Sequence, residues 1–476
     1  MIQFILNNQT IQTSLPAGST VLDFVRYHKR LMGTKIGCRE GDCGACTILV
    51  GNIENDKLIY RSMTSCLMPL SNAHGKHIVT VEGINDKTLS PVQQAMVDTN
   101  GTQCGFCTLG FVMSLTGFVL NDGNNYHDAI RAIDGNICRC TGYKSIERAA
   151  KILSEQLSGK PKTNTSDPVA IGWLVKNNFI PSYFTGIQER LLQLKNGSGD
   201  HAPGTNGSMI IGGGTDLVVQ KHTQVKKSAI NNFFDNNSLK GISVESNKCI
   251  AGASVNVTEF AESPIIQNIF PGLEKYIKLI SSTPIRNMAT LGGNFVNASP
   301  IGDMTIFFLA LNAEIVLSNG NARRTIFLKD FYKGYKQLDK TNDEFIEKII
   351  FDKPAKEAVF NFEKVCKRTW LDIASANSAC LVETDKSGII KNIHLSAGGV
   401  APFPKYLSNT VSFLKGKKIE TTNLHEAIKI MNDEIAPISD ARGTKEYKRL
   451  LLRQLFLAHA MKATNSSKYI KSVLAA

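Results

Sequence analysis

The chain has 476 residues, 42% of them hydrophobic, and a formal charge of +13. That length suits about two to four domains; no run of eighteen apolar residues argues for a membrane-crossing helix, and no basic leader opens the chain, so a cytoplasmic protein is expected. The Lys and Arg residues are dispersed rather than grouped, which speaks against nucleic-acid binding and leaves an acidic partner or a phosphate-bearing cofactor as the reason for the charge.

Residues 2–6 and 10–14 alternate like the strands of a hairpin around Asn7-Asn8-Gln9. Thr20 then opens a predicted helix through Arg30, with Asp23 at the capping-box position. A glycine-rich loop follows, and residues 47–50 and 58–62 are expected to be strands.

The loop carries the first chemistry. Of eleven cysteines, eight lie between Cys38 and Cys140, which in a reducing compartment points to metal ligation rather than disulfides. Cys38, Cys43 and Cys46, with Cys66 further on, have the C-x4-C-x2-C…C spacing of plant-type [2Fe–2S] proteins. Gly37, Gly41 and Gly44 would let the backbone turn inward and approach a cluster closely. Zinc, which favours two compact knuckles, fits this loop poorly.

The second set is Cys104, Cys107, Cys138 and Cys140. It is framed by four predicted helices: from Ser90-Pro91 to about Asn100, over 108–120, over 127–133 and from a Ser145 cap to about Leu157. Paired-cysteine loops on a small bundle can hold a second [2Fe–2S] cluster, and on spacing alone zinc remains open.

Three motifs now carry a resemblance: Gly37–Cys46 (GCREGDCGAC), Gln103–Cys107 (QCGFC) and Asn136–Tyr143 (NICRCTGY) are similar to the hallmarks of the xanthine dehydrogenase and aldehyde oxidase family. The resemblance implies an α+β multidomain chain. Its parts would be a β-grasp [2Fe–2S] ferredoxin domain (1–82), a four-helix [2Fe–2S] domain (83–160), a linker (161–178), a vanillyl-alcohol-oxidase-type FAD-binding domain (179–355) and an α+β C-terminal flavoprotein subdomain (356–470). It also implies that the eight cysteines above are the ligands of two clusters and that Gln103 faces the molybdopterin side.

Further along, 158–168 and 196–208 are polar, linker-like stretches. The buried strand Met209-Ile210-Ile211 then runs into Gly212, Gly213 and Gly214, whose backbone N–H groups could converge on a pyrophosphate. The spacing is not that of a Rossmann fingerprint. A second glycine cluster occupies 289–303, approached through Ser281–Asn287. Both stretches resemble the family's flavin signatures. By that resemblance Ile210, Ile211, Gly212, Gly213, Gly214, Thr215, Asp216 and Leu217 contact FAD. Thr290, Leu291, Gly292, Gly293 and Asn294 would form a second phosphate loop, and Asp303, Ile346 and Lys364 would lie near the flavin. The family's acidic positions after that lysine are Thr369, Trp370 and Leu371 here, which bears on the electron acceptor. Without the resemblance, Lys364 would read equally well as a solvated surface lysine. Ala397-Gly398-Gly399-Val400 resembles a turn of the C-terminal subdomain, followed by predicted helices at 423–434 and 443–463.

No molybdopterin-binding region is visible after the flavin segments. The resemblance therefore implies no catalytic residue on this chain and a molybdenum-cofactor-binding large subunit as partner, two copies of each assembling together. Electrons from purine hydroxylation there would pass through the Cys104 set, then the Cys38 set, then FAD, to NAD+. Cys249, Cys366 and Cys380 have no role in this reading.

Overall fold

The computed structural model describes residues 1–121, 123, 125–161, 168–195 and 208–466. The polar stretches at 162–167 and 196–207 lie outside them. The chain divides into two compact units. The first is Met1–Pro203, Gly207–Asn236 and Ser282–Ala289; the second is Gly204–Asn206, Asn237–Ser281 and Thr290–Ala476. Among the described residues no helix is long and apolar enough to cross a membrane.

The first unit is organised by a five-stranded sheet in the order Gln9–Thr13, Ile2–Leu6, His77–Val79, Thr47–Glu54, Lys57–Thr64. Its inner pair, Ile2–Leu6 with His77–Val79, is parallel and the other pairings are antiparallel. Strand alternation sends neighbouring side chains to opposite faces. Ile5, Leu49 and Val79 pack into a core with the helices. Phe4, Leu6, Ile48, Val50 and Ile78 pack on the other side with Ile211, Val218 and Met288. One sheet thus joins the helical bundle to the glycine-loop strand.

The bundle consists of Pro91–Asp98, Thr108–Leu120, Tyr126–Ala132 and Lys144–Gln156. Ser90 and Gln93 form a reciprocal capping box around Pro91. Thr108–Leu120 is buried at every residue from Gly110 to Leu120, which explains why its sequence is apolar all round.

Several local expectations are corrected. The helix expected from Thr20 to Arg30 is an α-helical turn, Val21–Asp23, followed by a wider π-helical stretch, Phe24–His28. Thr20 does cap it, accepting from the Asp23 N–H, but the Asp23 carboxylate pairs with Arg39 at 2.9 Å instead of reaching back. Ser145 is not the cap of the fourth helix: Tyr143 holds that position in the left-handed region, and the Ser145 hydroxyl is buried inside the helix without a partner. Where a linker is expected over 161–178, Pro168–Lys176 form a helix that buries Ala170, Ile171 and Leu174. Polar composition ends at Asp167, and the apolar run beyond it supplies a helical face.

In the second unit an antiparallel sheet has the order Arg323–Phe327, Glu314–Ser318, Phe345–Asp352, Lys248–Gly252, Ile242–Glu245. A four-stranded antiparallel sheet follows, running in order from Val359–Val365 through Ala376–Thr384 and Ile390–Gly398 to Lys405–Tyr406. Helices Thr421–Glu434 and Lys445–Thr464 cover it with Leu424, Met431, Leu452 and Phe456.

Two buried histidines make the fold acid-sensitive. His77 is held between the Tyr60 hydroxyl and the Asn7 carbonyl, and His459 between Asn361 and Ser378. Burial pushes each down to about 3. Both therefore stay neutral in the fold but take up a proton when unfolded below pH ~6.5. Stability present above that pH should be lost as pH falls from ~6.5 toward 3, by about 1.4 kcal/mol per pH unit for each histidine. A His77→Gln variant should show a shallower decline of melting temperature over pH 6.5–4; an unchanged slope would refute the assignment.

Candidate functional site: two thiol groups and a glycine cradle

In the first unit the loop from Gly37 to Cys46 turns on three glycines, for two reasons. Gly41 and Gly44 have φ of +80° and +68°. At Gly37 a Cβ would sit 2.6 Å from the Cys43 sulfur. The loop points N–H groups at its thiols: Glu40 and Asp42 each donate to Cys38 Sγ at 3.3 Å, and Cys38 donates to Cys43 Sγ at 3.4 Å. Such donors favour thiolate over thiol.

The thiols meet two by two. Cys43 beside it pulls the Cys38 thiol down to about 5, while Cys43 is pushed up by Cys38. Cys66 lowers Cys46 in the same way and is itself raised. In the second group Cys140 and Cys104 sulfurs are 3.6 Å apart. The Phe106 N–H, then Cys140, lower Cys104, and Cys104 raises Cys140. Burial, then Cys138, pushes Cys107 up to about 12. Burial opposes ionisation of Cys138 as well, but the Thr141 hydroxyl at 3.2 Å and its N–H at 3.4 Å bring it down. In each pair the two sulfurs are close enough to share a proton, one being lowered and its neighbour raised. A metal would replace that shared proton.

Among the described residues no three His, Cys, Asp or Glu side chains converge closely enough to hold a single ion as they stand. Two pairs per group instead match a diiron core, in which each iron takes two cysteines. The donor set is all sulfur and fits that group. Cys46 and Cys66 are buried, whereas Cys104 and Cys140 are exposed.

The two groups are joined by backbone. Ile137 donates its N–H to the Cys43 carbonyl at 3.0 Å, one residue before Cys138. Asn136 donates from Nδ2 to the Gly44 carbonyl at 3.1 Å and accepts at Oδ1 from Ser114 at 2.7 Å. Sequence reasoning did not single out Asn136 as a contact between the groups. Its place inside the Asn-Ile-Cys motif was the available signal.

The predicted pyrophosphate loop runs from strand Met209–Ile211 into helix Leu217–Lys227, also in the first unit. Ile211 is buried, and Ile210 and Leu217 are half-buried. Among the described residues, the N–H groups of Gly212, Gly213, Gly214 and Thr215 donate to nothing, although Gly213 and Gly214 are buried. Buried N–H groups left unpaired are costly, so a cradle of this kind asks for an anion. The glycines also have a purely internal reason. A Cβ on Gly213 would lie 1.8 Å from the Met288 carbonyl oxygen, and one on Gly214, whose φ is +86°, 2.6 Å from that of Leu67. Gly213→Ala should accordingly destabilise the chain by about 1–3 kcal/mol by overpacking, even without a bound flavin; urea unfolding of flavin-free protein at wild-type stability would contradict this.

The second predicted phosphate loop lies in the second unit and is helical rather than an open turn. Thr290 to Asn294 are the cap and first turn of helix Leu291–Asn297. Four of their five N–H groups are already used: Leu291 donates to Val255, Gly292 to Ala253, Gly293 to the Thr290 hydroxyl at 3.1 Å and Asn294 to the Thr290 carbonyl. The Asn294 Oδ1 accepts from Thr305. What this turn can still offer a ligand is side chains.

Lys364 is no surface lysine. Its side chain is 1% exposed, donating to Asp303 at 2.7 Å and to the Leu279 carbonyl at 2.7 Å. Asn377 donates to the other Asp303 oxygen at 2.6 Å, and its own Oδ1 is buried without a partner. Two of the predicted flavin residues are thus brought together, with Asn377 as an addition the sequence did not suggest. Ile346 is buried within its sheet, opposite Leu317. A cavity of about 1100 Å³ in this unit, lined by residues such as Lys275, Phe270 and Phe360, includes none of the predicted cofactor residues.

Four families match along the chain: a 2Fe-2S iron–sulfur cluster binding domain over residues 4–71, a [2Fe-2S] binding domain over 80–151, the FAD binding domain of molybdopterin dehydrogenases over 189–354 and the CO dehydrogenase flavoprotein C-terminal domain over 362–463. The chain thus carries, in order, the iron–sulfur and flavin domains of the molybdopterin dehydrogenases. Xanthine dehydrogenase of Emericella nidulans is 30% identical across 88% of this chain and 35% of its own length. Aldehyde oxidase 1 of Bos taurus is 25% identical across 95% of this chain and 38% of its own. The chain thus spans little more than a third of the curated relatives it matches. Among solved structures, a Cu,Mo-CO dehydrogenase in a cyanide-inactivated form shares the fold over 54% of this chain and 90% of its own, with TM-score 0.51 and 23% identity. Carbon monoxide dehydrogenase from Hydrogenophaga pseudoflava does so over 54% and 91%, with TM-score 0.51 and 24% identity.

Proposed function

We propose that this chain is the electron-relay subunit of a xanthine dehydrogenase in the cytoplasm. It would serve a partner subunit that holds the molybdenum cofactor and oxidises hypoxanthine or xanthine, with NAD+ as final acceptor and two copies of each subunit in the assembly. The observation that carries the relay is the grouping of eight cysteines into two sets of paired thiols in the unit that also contains the glycine cradle. Bound [2Fe–2S] clusters supply one-electron transfer, and FAD links it to a two-electron acceptor. The chain's own part is to hold those groups. Cys38, Cys43, Cys46 and Cys66 would ligate one cluster, and Cys104, Cys107, Cys138 and Cys140 the other. The N–H donors on Cys38, Cys43 and Cys138 stabilise negative charge on sulfur. Gly212–Thr215 would bind the FAD pyrophosphate, supported by Ile210, Ile211, Asp216 and Leu217. In the second unit, the side chains of Thr290–Asn294, Ile346 and the Lys364–Asp303 pair would be FAD contacts, as the FAD binding domain match over 189–354 supports.

The Emericella relative favours xanthine as substrate, and the bovine relative keeps aldehydes as the second reading. Assay of the complete assembly with xanthine, hypoxanthine and aldehydes separates them, and omission of NAD+ tests the acceptor. Purified protein should contain about four irons and one FAD per chain, with combined flavin and [2Fe–2S] absorption. Stoichiometric zinc with no iron would end the relay reading.

A further inference from the structure

The eight residues Ser282–Ala289 belong to the first unit although the chain on both sides belongs to the second. Within the first unit this short segment touches all three loops assigned above. Ile285 lies against the first thiol loop: a Cβ on Gly41 would meet its Cδ1 at 2.7 Å. Asn287 donates to the Ser62 carbonyl at 2.8 Å, on the strand that leads to Cys66. Met288 lies against the glycine cradle, its carbonyl filling the space where a Gly213 side chain would be. Pro284 lies against Gly135, three residues before Cys138.

The fastening is a buried ion pair. Arg286 donates to Asp134 at 2.6 Å with the two side chains 4% and 0% exposed. Thr283 adds its N–H at 2.7 Å and its hydroxyl at 3.1 Å to the same carboxylate. Asp134 in turn precedes Asn136 and Ile137, which hold Gly44 and Cys43. A buried pair of this kind contributes little net stability compared with apolar residues, and its best-attested use is to fix one arrangement among several.

We infer that Arg286 is a positioning residue: through Asp134 it seats the 282–289 segment as a bracket that sets the spacing of the two thiol groups and the glycine cradle. This rests on the iron–sulfur and flavin reading above. Electron transfer between bound groups depends on that spacing, whereas the iron of each cluster would be held by its own four cysteines.

The test uses the full chain carrying Arg286→Met, Arg286→Lys, or both Asp134→Leu and Arg286→Met, the last replacing the pair with apolar side chains that preserve folding. Iron content, the spin–spin splitting between the two reduced cluster signals and the FAD dissociation constant are measured. Arg286→Met and the double variant should keep their iron, change the splitting and weaken FAD by about tenfold, the usual scale for losing a supporting contact. Arg286→Lys should recover most of both. Splitting and FAD affinity within about twofold of the parent in the iron-loaded double variant would overturn the inference. Amide hydrogen exchange on the metal-free full chain gives a readout that does not need loading. In the double variant the peptides around 37–46, 131–138 and 212–215 should all exchange faster together; acceleration confined to 282–289 would also overturn it. A parent protein that binds neither iron nor FAD would defeat the cofactor reading, and the exchange pattern would still decide whether the bracket exists.

Discussion

Cys138→Ser is expected to abolish one of two iron–sulfur EPR signals in the reduced protein and to lower iron from about four to about two per chain. The Cys138 sulfur accepts from the Thr141 hydroxyl and N–H, donors that favour a thiolate, and is paired with Cys107. A serine hydroxyl keeps its proton at neutral pH and cannot take that place. The first group should survive, because it is tied to this loop by main chain: Ile137 N–H to the Cys43 carbonyl, a bond a side-chain change at 138 leaves alone. Two intact signals with undiminished iron would show that the second group has been assigned to the wrong ligands. Loss of both would show that the groups do not load independently.

How far the sequence led can be judged from particular residues. The cysteine sets were legible because their chemistry is written locally: Cys38, Cys43 and Cys46 must share one loop, and its glycines are dictated by φ and by contact with sulfur. Four of the five strands of the first sheet and the four bundle helices followed from periodicity and from Ser90-Pro91, while the short strand His77–Val79 was not read. Errors fell where a local pattern had two readings. Ser145 is an ordinary cap candidate, but Tyr143 two residues earlier takes the left-handed turn after Cys140 and starts the helix sooner. Thr290–Asn294 has the composition of a phosphate loop, and four of its N–H groups are bound to Ala253, Val255 and Thr290 itself, so its composition alone does not tell a ligand loop from an internal turn. A glycine run shows that backbone must come close to something; it does not say whether that is a phosphate or another strand. What could not be read at all is long-range. Asp134 and Arg286 are 152 positions apart, and nothing in either neighbourhood announces a buried ion pair. Likewise no pattern shows that 282–289 leaves the unit of its flanking residues.

Lys364→Met tests the other buried charge. Lys364 is the cation facing the Asp303 carboxylate, with a second donor on the Leu279 carbonyl. Removing it leaves a carboxylate in a mostly buried place, held only by the Asn377 amide and whatever solvent reaches it at 15% side-chain exposure. Breaking one side of a buried pair costs about 3–5 kcal/mol, a large share of the stability of an ordinary domain. Urea unfolding of flavin-free protein isolates that cost, because bound FAD would add its own stabilisation by mass action. Adding Asp303→Asn to Lys364→Met should recover more than half of the loss: the charge is gone, and the carbonyl oxygen of the introduced amide can still accept from Asn377. If Lys364→Met alone unfolds like the parent, the carboxylate is being neutralised or solvated, and the pair is not the support that the buried geometry implies. If the double variant is stable but no longer retains FAD, the same two residues that hold this corner together also serve the flavin, which separates their structural role from their binding role in one experiment.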